Sequence, residues 1–364
     1  MPLLPFSLQR LWAPLRTPLR ALVRGGWLRE ADVDAWLRVG HPGWALSRVW
    51  ARVEARRWVA DDMLELRLRP NGNWRGARVG QHVALLLERD GVRHARHYSL
   101  TRVDDGCLEL AVRRQPDGRI SPYLLDHLAV GALVELGEPG GELSWPTDAA
   151  GVLLLAAGSG LTPLLGLLRV ALAAGYQAPV TLLHYVREHG QRAFAEALEA
   201  LAVDYPNFRP QWSLTGVPVP GLLHGRLQPE HLRNQPARHV LACGPAGFID
   251  SVREQLGGQA ISLQVEAFSP PRRLADGVPQ AATLHLRRGQ RQLAGDTRHP
   301  LLDQLEDAGL RPASGCRQGI CTQCTCTLLD GQVRDLRNGA VIDQPHQSIR
   351  LCVSAPLGDV TLDL

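Results

Sequence analysis

Ser314-Gly315-Cys316-Arg317-Gln318-Gly319-Ile320-Cys321-Thr322-Gln323-Cys324, answered further on by Cys352, is the stretch around which this chain is organised. Four residues separate Cys316 from Cys321, and two separate Cys321 from Cys324. Three thiols in one loop with a fourth on a distant segment form the ligand pattern of a [2Fe–2S] cluster. Two irons and two sulfides make a flat anionic rhomb, so the chain must wrap it closely and aim backbone N–H groups at the sulfurs. Gly315 and Gly319 allow that approach because no Cβ stands in the way. A zinc site usually pairs two C-x2-C units, and only Cys321 and Cys324 form one here. Disulfides are unusual in a chain with no secretory signal. The spacing therefore favours a cluster on Cys316, Cys321, Cys324 and Cys352, a carrier of single electrons, and raises the question of their source and destination.

Length and composition bound the answer. At 364 residues there is room for two or three domains, and 45% hydrophobic with 21% charged residues fits a soluble globular protein. No apolar run is long enough to span a bilayer, and arginines break up the N-terminal apolar residues where a signal peptide would be continuous. The net charge of +4 is modest, and no basic stripe with interleaved aromatics points to nucleic acid. Lysine is absent, which reads as GC-rich coding and hints at a bacterial source. Cys107, Cys243 and Cys326 are left over as thiols, as suits a reducing cytoplasm.

Residues 1–44 read as an amphipathic extension. Leu8, Leu11, Trp12, Leu15, Leu19, Leu22 and Val23 recur at helical intervals with Arg16, Arg20 and Arg24 on another face. Pro14 and Pro18 favour two short pieces over one straight helix. The pattern fits an extension packed on the next domain, and also an interfacial segment at the inner face of a membrane.

Residues 45–147 change to strand periodicity. Val49, Ala51 and Val53, then Met63, Leu64, Leu66 and Leu68, then Val83 to Leu87 are short β segments joined by Gly-, Asn-, Asp- or Pro-containing links, the pattern of a small antiparallel barrel. Within it lies Arg96-His97-Tyr98-Ser99. An arginine there can clamp a phosphate and a tyrosine can stack on a planar ring, although alone the pattern is that of any half-buried strand. Gly118-Arg119-Ile120-Ser121 then opens a helix, where free N–H groups suit a pyrophosphate.

R-x-Y-S followed by G-x-x-S resembles the flavin domain of the ferredoxin–NADP reductase superfamily, and the cysteine spacing is similar to that of plant-type β-grasp ferredoxins. The resemblance implies that Arg96 and Ser121 hold FAD phosphates, that Tyr98 packs on the isoalloxazine and that Ser99 hydrogen-bonds near N5. Val112, Arg113, Gly118 and Ile120 belong to the same implied site. FAD is expected over FMN because residues 118–121 provide a second phosphate site.

Residues 148–270 alternate strand and helix. The apolar run 151–157 reads as a parallel strand buried on both faces. It leads into Gly158-Ser159-Gly160-Leu161-Thr162-Pro163 and a helix, a phosphate-cradling context that lacks the third glycine of the usual dinucleotide fingerprint. This too matches the superfamily, and Gly158, Gly160, Thr162 and Pro163 are the expected NAD(P) contacts. Strand 180–186 ends in Arg187, with Arg192 five residues on. Arginines at that tip suit a 2′-phosphate, so NADPH is expected over NADH, while the alternative is ordinary exposed surface. Cys243-Gly244-Pro245 resembles the segment whose Cys lies near the nicotinamide. Glu266-Ala267-Phe268 resembles the one that approaches the flavin. Residues 271–279 read as a linker.

Residues 280–364 follow with strand 283–286, helix 300–310, the cluster loop, strand 325–329 and a last strand 359–364, with Cys326 read as core packing and not a ligand. The expected protein is thus multidomain: an antiparallel β-barrel flavin domain, an α/β parallel-sheet NAD(P) domain and a β-grasp [2Fe–2S] ferredoxin domain. That order implies a circuit in which NAD(P)H gives a hydride to FAD, and electrons leave singly through the cluster to an acceptor. Asn71-Gly72-Asn73-Trp74-Arg75-Gly76, Gly80-Gln81-His82-Val83 and the leader look most like the reductases of bacterial membrane fatty-acid (acyl-CoA) desaturases. A reductase for a Rieske-type or other oxygenase is the alternative reading, and a redox-sensing interaction module without turnover is a third.

Overall fold

The computed structural model describes residues 9–41, 43–89, 92–104, 106–116, 118, 120–146, 150–233, 239–258, 260–268, 278–314, 319 and 323–364. The chain forms two compact units, Met1–Leu241 and Ala242–Leu364.

The first unit opens with two helices, α1 (Gln9–Arg24) and α2 (Glu30–Gly40). The helix α1 runs through both prolines, where two pieces were expected. Each proline removes one i→i−4 hydrogen bond, but at a spacing of four the losses fall on one face, and Pro18 is exposed. Elsewhere Leu19 and Val23 pack against Val33 and Leu46. Arg16 Nη1 donates to the Gly72 carbonyl at 3.1 Å and Arg20 Nη2 to that of Leu46 at 2.9 Å. Tertiary contacts outweigh the broken ladder.

Six antiparallel strands follow: β1 (Val49–Ala60), β2 (Met63–Pro70), β3 (His82–Arg89), β4 (Val92–Asp104), β5 (Cys107–Arg113) and β6 (Leu133–Leu136). They close into a barrel in the order β1-β2-β5-β4-β3-β6. Alternation sends Val49, Ala51 and Val53 inward with Leu64, Leu66, Leu68, Val83, Leu85, Leu108 and Leu110, and closure leaves no open edge. The short helix α3 (Ser121–His127) puts Leu124 and Leu125 into the same core.

The parallel sheet contains β7 (Val152–Ala157), β8 (Val180–Val186), β9 (Phe208–Leu214) and β10 (Leu223–His224), in the order β10-β9-β8-β7. Helix α4 (Leu161–Ala173) is buried along most of its length, and α5 (Ala195–Asp204) and α6 (Pro229–Leu232) flank the later strands. The next strand, β11 (His239–Gly244), is the one in which the first unit ends.

The second unit holds the end of β11, helix α7 (Ala246–Leu256) and strand β12 (Ser262–Ala267). Beyond them a mixed sheet is built from β13 (Ala281–Leu286), β14 (Arg291–Asp296), β15 (Thr325–Asp335), β16 (Val341–Ile342), β17 (Gln347–Arg350) and β18 (Ser354–Leu362). Its order is β14-β13-β18-β15-β16, with β17 beside β15, and β13 runs parallel to β18. Helix α8 (Leu301–Asp307) is shorter than expected and packs Leu301, Leu302 and Leu305 into this core. Cys326 belongs to that core as well, matching its reading as packing.

Candidate functional site

The flavin motif lies on β4, in register with β3: Arg96 opposite Leu85, Tyr98 opposite Val83 and Ser99 opposite His82. Arg96 is exposed, and its Nη1 donates to the Ala95 carbonyl at 2.8 Å. Tyr98 packs against the barrel core, and burial pushes its phenol pKa up, so the ring stays neutral. Ser99 is buried. Val112 and Ile120 are buried in the barrel core. The turn after β5 closes on itself: the Gln115 N–H donates to Ser121 Oγ at 3.0 Å and the Gly118 N–H to the Gln115 carbonyl at 2.9 Å. A Cβ on Gly118 would lie 2.8 Å from that of Gln115, so the tight turn requires glycine. Arg119 lies outside the described residues.

At the end of β7 the chain enters Gly158 with φ +56°, passes through a single 3-10 turn, Gly158–Gly160, and starts α4. Thr162 Oγ1 donates to the Ser159 carbonyl at 3.0 Å, and Pro163 occupies the first turn of the helix, where no N–H is missed. Sequence reasoning missed His184. It is wholly buried on β8, and its Nε2 lies 2.9 Å from the Gly158 carbonyl. A carbonyl only accepts, so the proton is on Nε2. Burial, helped by the positive charge of Arg113, pushes its pKa down to about 4, and the ring is neutral. The available signal was a lone histidine inside the apolar run Val-Thr-Leu-Leu-His-Tyr-Val.

Arg113, expected at the flavin, and Gly158, expected at the nucleotide, meet. A Cβ on Gly158 would stand 2.5 Å from Arg113 Nη1. Arg113 Nε donates to Asp62 Oδ2 at 2.8 Å, and Gln191 Nε2 donates to the same oxygen at 3.2 Å. The Asp61 N–H donates to the Gly190 carbonyl at 3.0 Å. The β1–β2 turn thus anchors the loop that carries the two specificity candidates. Arg187 is exposed beyond β8. Arg192 lies over the Trp212 ring at 5.2 Å, and its Nη2 is 2.7 Å from His189 Nε2.

In the second unit, Cys243 is wholly buried, and burial followed by the charge of Glu266 raises its thiol pKa well above the usual range. It remains a thiol, a small uncharged group. The Phe268 N–H donates to the Gly244 carbonyl at 2.9 Å, which joins the two motif segments, and Pro245 caps α7.

Of the four cluster cysteines, Cys316 and Cys321 lie outside the described residues. Cys324 and Cys352 are buried with their sulfurs 3.2 Å apart. That is far beyond a disulfide bond of about 2.05 Å. Two thiolates on one tetrahedral metal at about 2.3 Å lie about 3.7 Å apart, so a slight spreading admits an iron between them. Gly319 (φ +72°) is packed so closely that a Cβ would stand 2.8 Å from Val353 Cγ2. Its carbonyl accepts from Arg350 and from Arg337 Nη1 at 3.0 Å, and Arg337 is held by Asp335 at 2.6 Å. Both observations hold Gly319, which lies between Cys316 and Cys321 in sequence, against the core of this domain.

Comparison with known proteins accounts for the three segments. Residues 51–145 match the oxidoreductase FAD-binding domain, 154–254 the oxidoreductase NAD-binding domain and 285–357 the 2Fe-2S iron–sulfur cluster binding domain. An NADPH oxidoreductase of Mycobacterium tuberculosis is 29% identical over 340 residues, 91% of this chain and 88% of that protein. The ferredoxin reductase component of 3-ketosteroid-9-alpha-monooxygenase from the same species is 33% identical over 286 residues, 73% of this chain and 78% of that protein. Phthalate dioxygenase reductase shares the fold at 24% identity with a TM-score of 0.57, covering 87% of this chain and 98% of that one. The chain therefore belongs to the family of ferredoxin-reductase-type oxidoreductases that join FAD-binding, NAD-binding and 2Fe-2S domains, in that order, in one electron-transfer polypeptide.

Proposed function

We propose that this reductase passes electrons from NADPH through FAD and the [2Fe–2S] cluster to a membrane fatty-acid (acyl-CoA) desaturase. The observation that carries this reading is the seating of the leader on the Asn71-Gly72-Asn73 turn. Asn71 Nδ2 donates to the Gly43 carbonyl at 3.1 Å, Asn73 Nδ2 donates to that of Ala45 at 2.8 Å, and Arg20 Nη2 donates to Asn73 Oδ1 at 3.3 Å. The two features that resemble desaturase reductases, the motif and the leader, are thus one structural unit. The name of the NADPH oxidoreductase relative supports NADPH. A second reading, the reductase of an oxygenase, is favoured by the monooxygenase component and by a component of 1,2-phenylacetyl-CoA epoxidase from Escherichia coli among the relatives.

FAD bound to this chain would supply hydride acceptance from a nicotinamide, and a bound [2Fe–2S] cluster would supply single-electron transfer. The chain supplies positions. Arg96, Gly118 and Ser121 would hold the FAD phosphates beside Val112, Arg113 and Ile120, while Tyr98 would pack on the ring and Ser99 would hydrogen-bond near N5. Gly158, Gly160, Thr162 and Pro163 cradle the nucleotide pyrophosphate, with Arg187 and Arg192 at its 2′-phosphate. Cys243, with Gly244 and Pro245, would present a neutral thiol near the nicotinamide, and Glu266 and Phe268 would approach the flavin. Cys316, Cys321, Cys324 and Cys352 would ligate the cluster.

Reconstitution tests the acceptor. The purified protein and NADPH are mixed in parallel with a detergent-solubilised acyl desaturase and with a soluble Rieske oxygenase, and product is followed in each. Turnover with the desaturase is expected; turnover with the oxygenase alone would overturn that acceptor while leaving the reductase intact.

A further inference from the structure

The fold covers only part of the leader. Leu19 and Val23 turn toward the barrel side, where they pack with Val33, Leu46 and Trp44. Leu15 (58% exposed) and Leu22 (43%), seven residues apart, flank Leu19 on α1 and stay exposed. Trp27, just past the helix, is 81% exposed, and Trp36 on α2 is 62% exposed. Together with Val39 these are five of the thirteen exposed large hydrophobics among the described residues, concentrated in the first forty positions. Single exposed apolar residues are ordinary, whereas a local concentration with two tryptophans marks a contact surface.

Charge selects the occupant. Residues 1–29 contain Arg10, Arg16, Arg20, Arg24 and Arg29 and no acidic residue, a local charge of +5. The whole chain carries +4, so residues 30–364 sum to −1. Residues 30–40 add Glu30, Asp32, Asp34 and Arg38, so the first forty positions carry +3 of the molecule's +4. Arg16 and Arg20 donate to neutral carbonyl and amide oxygens. Arg24 is exposed. Asp32, one turn before Trp36, is paired with Arg29 at 2.8 Å, and aliphatic and indole side chains beside the remaining arginines suit the boundary between acyl chains and anionic headgroups. No described helix is long and apolar enough to cross a membrane, so the contact is peripheral.

We propose that the exposed part of the leader, with Leu15, Leu22, Trp27 and Trp36 as its apolar anchors and Arg24 at its rim, docks the protein reversibly on an anionic phospholipid bilayer. The orientation is set by Arg16 and Arg20, which fix the leader to the barrel so that the FAD-binding unit is held at the surface and not tethered loosely. This deepens the reading of a membrane-bound acceptor but does not require it.

The test is cosedimentation of the full-length protein with vesicles of phosphatidylcholine alone or mixed with phosphatidylglycerol. Binding to the mixed vesicles, weakened by salt, is expected, with little binding to phosphatidylcholine. Arg24→Gln should lower the partition coefficient roughly fivefold. Leu22→Ser with Trp27→Ser should lower it by roughly tenfold or more. Ferricyanide reduction by NADPH should be unchanged in both variants, which shows that they fold. No binding to mixed vesicles, equal binding to both compositions, or variants that bind like the parent would each overturn the proposal. Concentration-dependent dimers in light scattering, lost in the double variant and accompanied by no vesicle binding, would assign the face to a second copy and also overturn it. Desaturase turnover in detergent without vesicle binding would defeat this docking while leaving the acceptor reading in place.

Discussion

A histidine enclosed by apolar side chains must find a fixed partner, and His184 finds the carbonyl of Gly158 at 2.9 Å. The bond holds the first glycine of the nucleotide turn from behind, at the point where its φ is positive. The unfolded chain protonates this histidine near pH 6.5, whereas the folded protein resists until about pH 4. Between those values the unfolded state binds the extra proton, so stability present above pH 6.5 is lost as the pH falls. By pH 5 the loss from this group is about 2 kcal/mol. In His184→Gln, the drop in urea stability of the first unit between pH 7.5 and pH 5 should shrink by that amount; an unchanged drop would show that the ring titrates freely. Specificity is also argued at single residues. Arg187→Ala should raise KM for NADPH roughly tenfold and leave NADH nearly unaffected, the loss of about one charge-assisted contact. Equal losses for both nucleotides in steady-state assays would remove Arg187 from the 2′-phosphate.

Elements are joined as tightly as the residues within them. Helix α4 begins at the nucleotide turn and packs across the barrel, with Gly166 at the crossing. A Cβ there would stand 2.5 Å from the Leu100 carbonyl and 3.1 Å from Val79 Cβ. Leu100 directly follows Tyr98 and Ser99 on β4, so a displaced α4 disturbs the strand that carries the flavin motif. Gly166→Ala should cost about 1–3 kcal/mol through overpacking, read as a lower first thermal midpoint together with faster FAD release. An unshifted midpoint would mean that the crossing relaxes at no cost. The turn between β1 and β2 does comparable work through Asp62, which binds Arg113 and Gln191 at once. None of these crossings follows from periodicity, because a helix buried on every side shows no polar stripe to orient it.

For the whole molecule, the order of the domains implies a series circuit. Cys321→Ser should leave NADPH-dependent bleaching of the flavin intact while cytochrome c reduction falls at least tenfold, the consequence of losing one of four thiolate ligands. Cytochrome c reduction at the parental rate would show that electrons leave before the cluster. Legibility varied along the circuit. Arg96, Tyr98, Ser99, the Gly158–Gly160 turn, Cys243 and the cluster cysteines could be proposed from the sequence because cofactor cradles and metal sites need particular residue types at particular spacings. His184, Asp62 and Arg337 were not, because a hydrogen bond to a carbonyl or a carboxylate across the fold leaves no spacing to read.

The amino-acid sequence by itself determined the barrel, the parallel sheet and the cluster-bearing domain, since alternation, buried apolar runs and thiol spacing are local consequences of burial and coordination. It also contained the cationic, apolar leader, but not the course of that leader. Proline propensity argued for a break, and the contacts of Arg16, Arg20, Leu19 and Val23 overrode it. Only the tertiary structure placed Arg113 against Gly158, set His184 behind the same glycine and divided the leader into a part held by the barrel and a part left exposed. The physical reason is range. Periodicity and spacing act over a few residues, whereas these contacts join strands and helices separated by tens of residues, and their partners become neighbours only when the cores close.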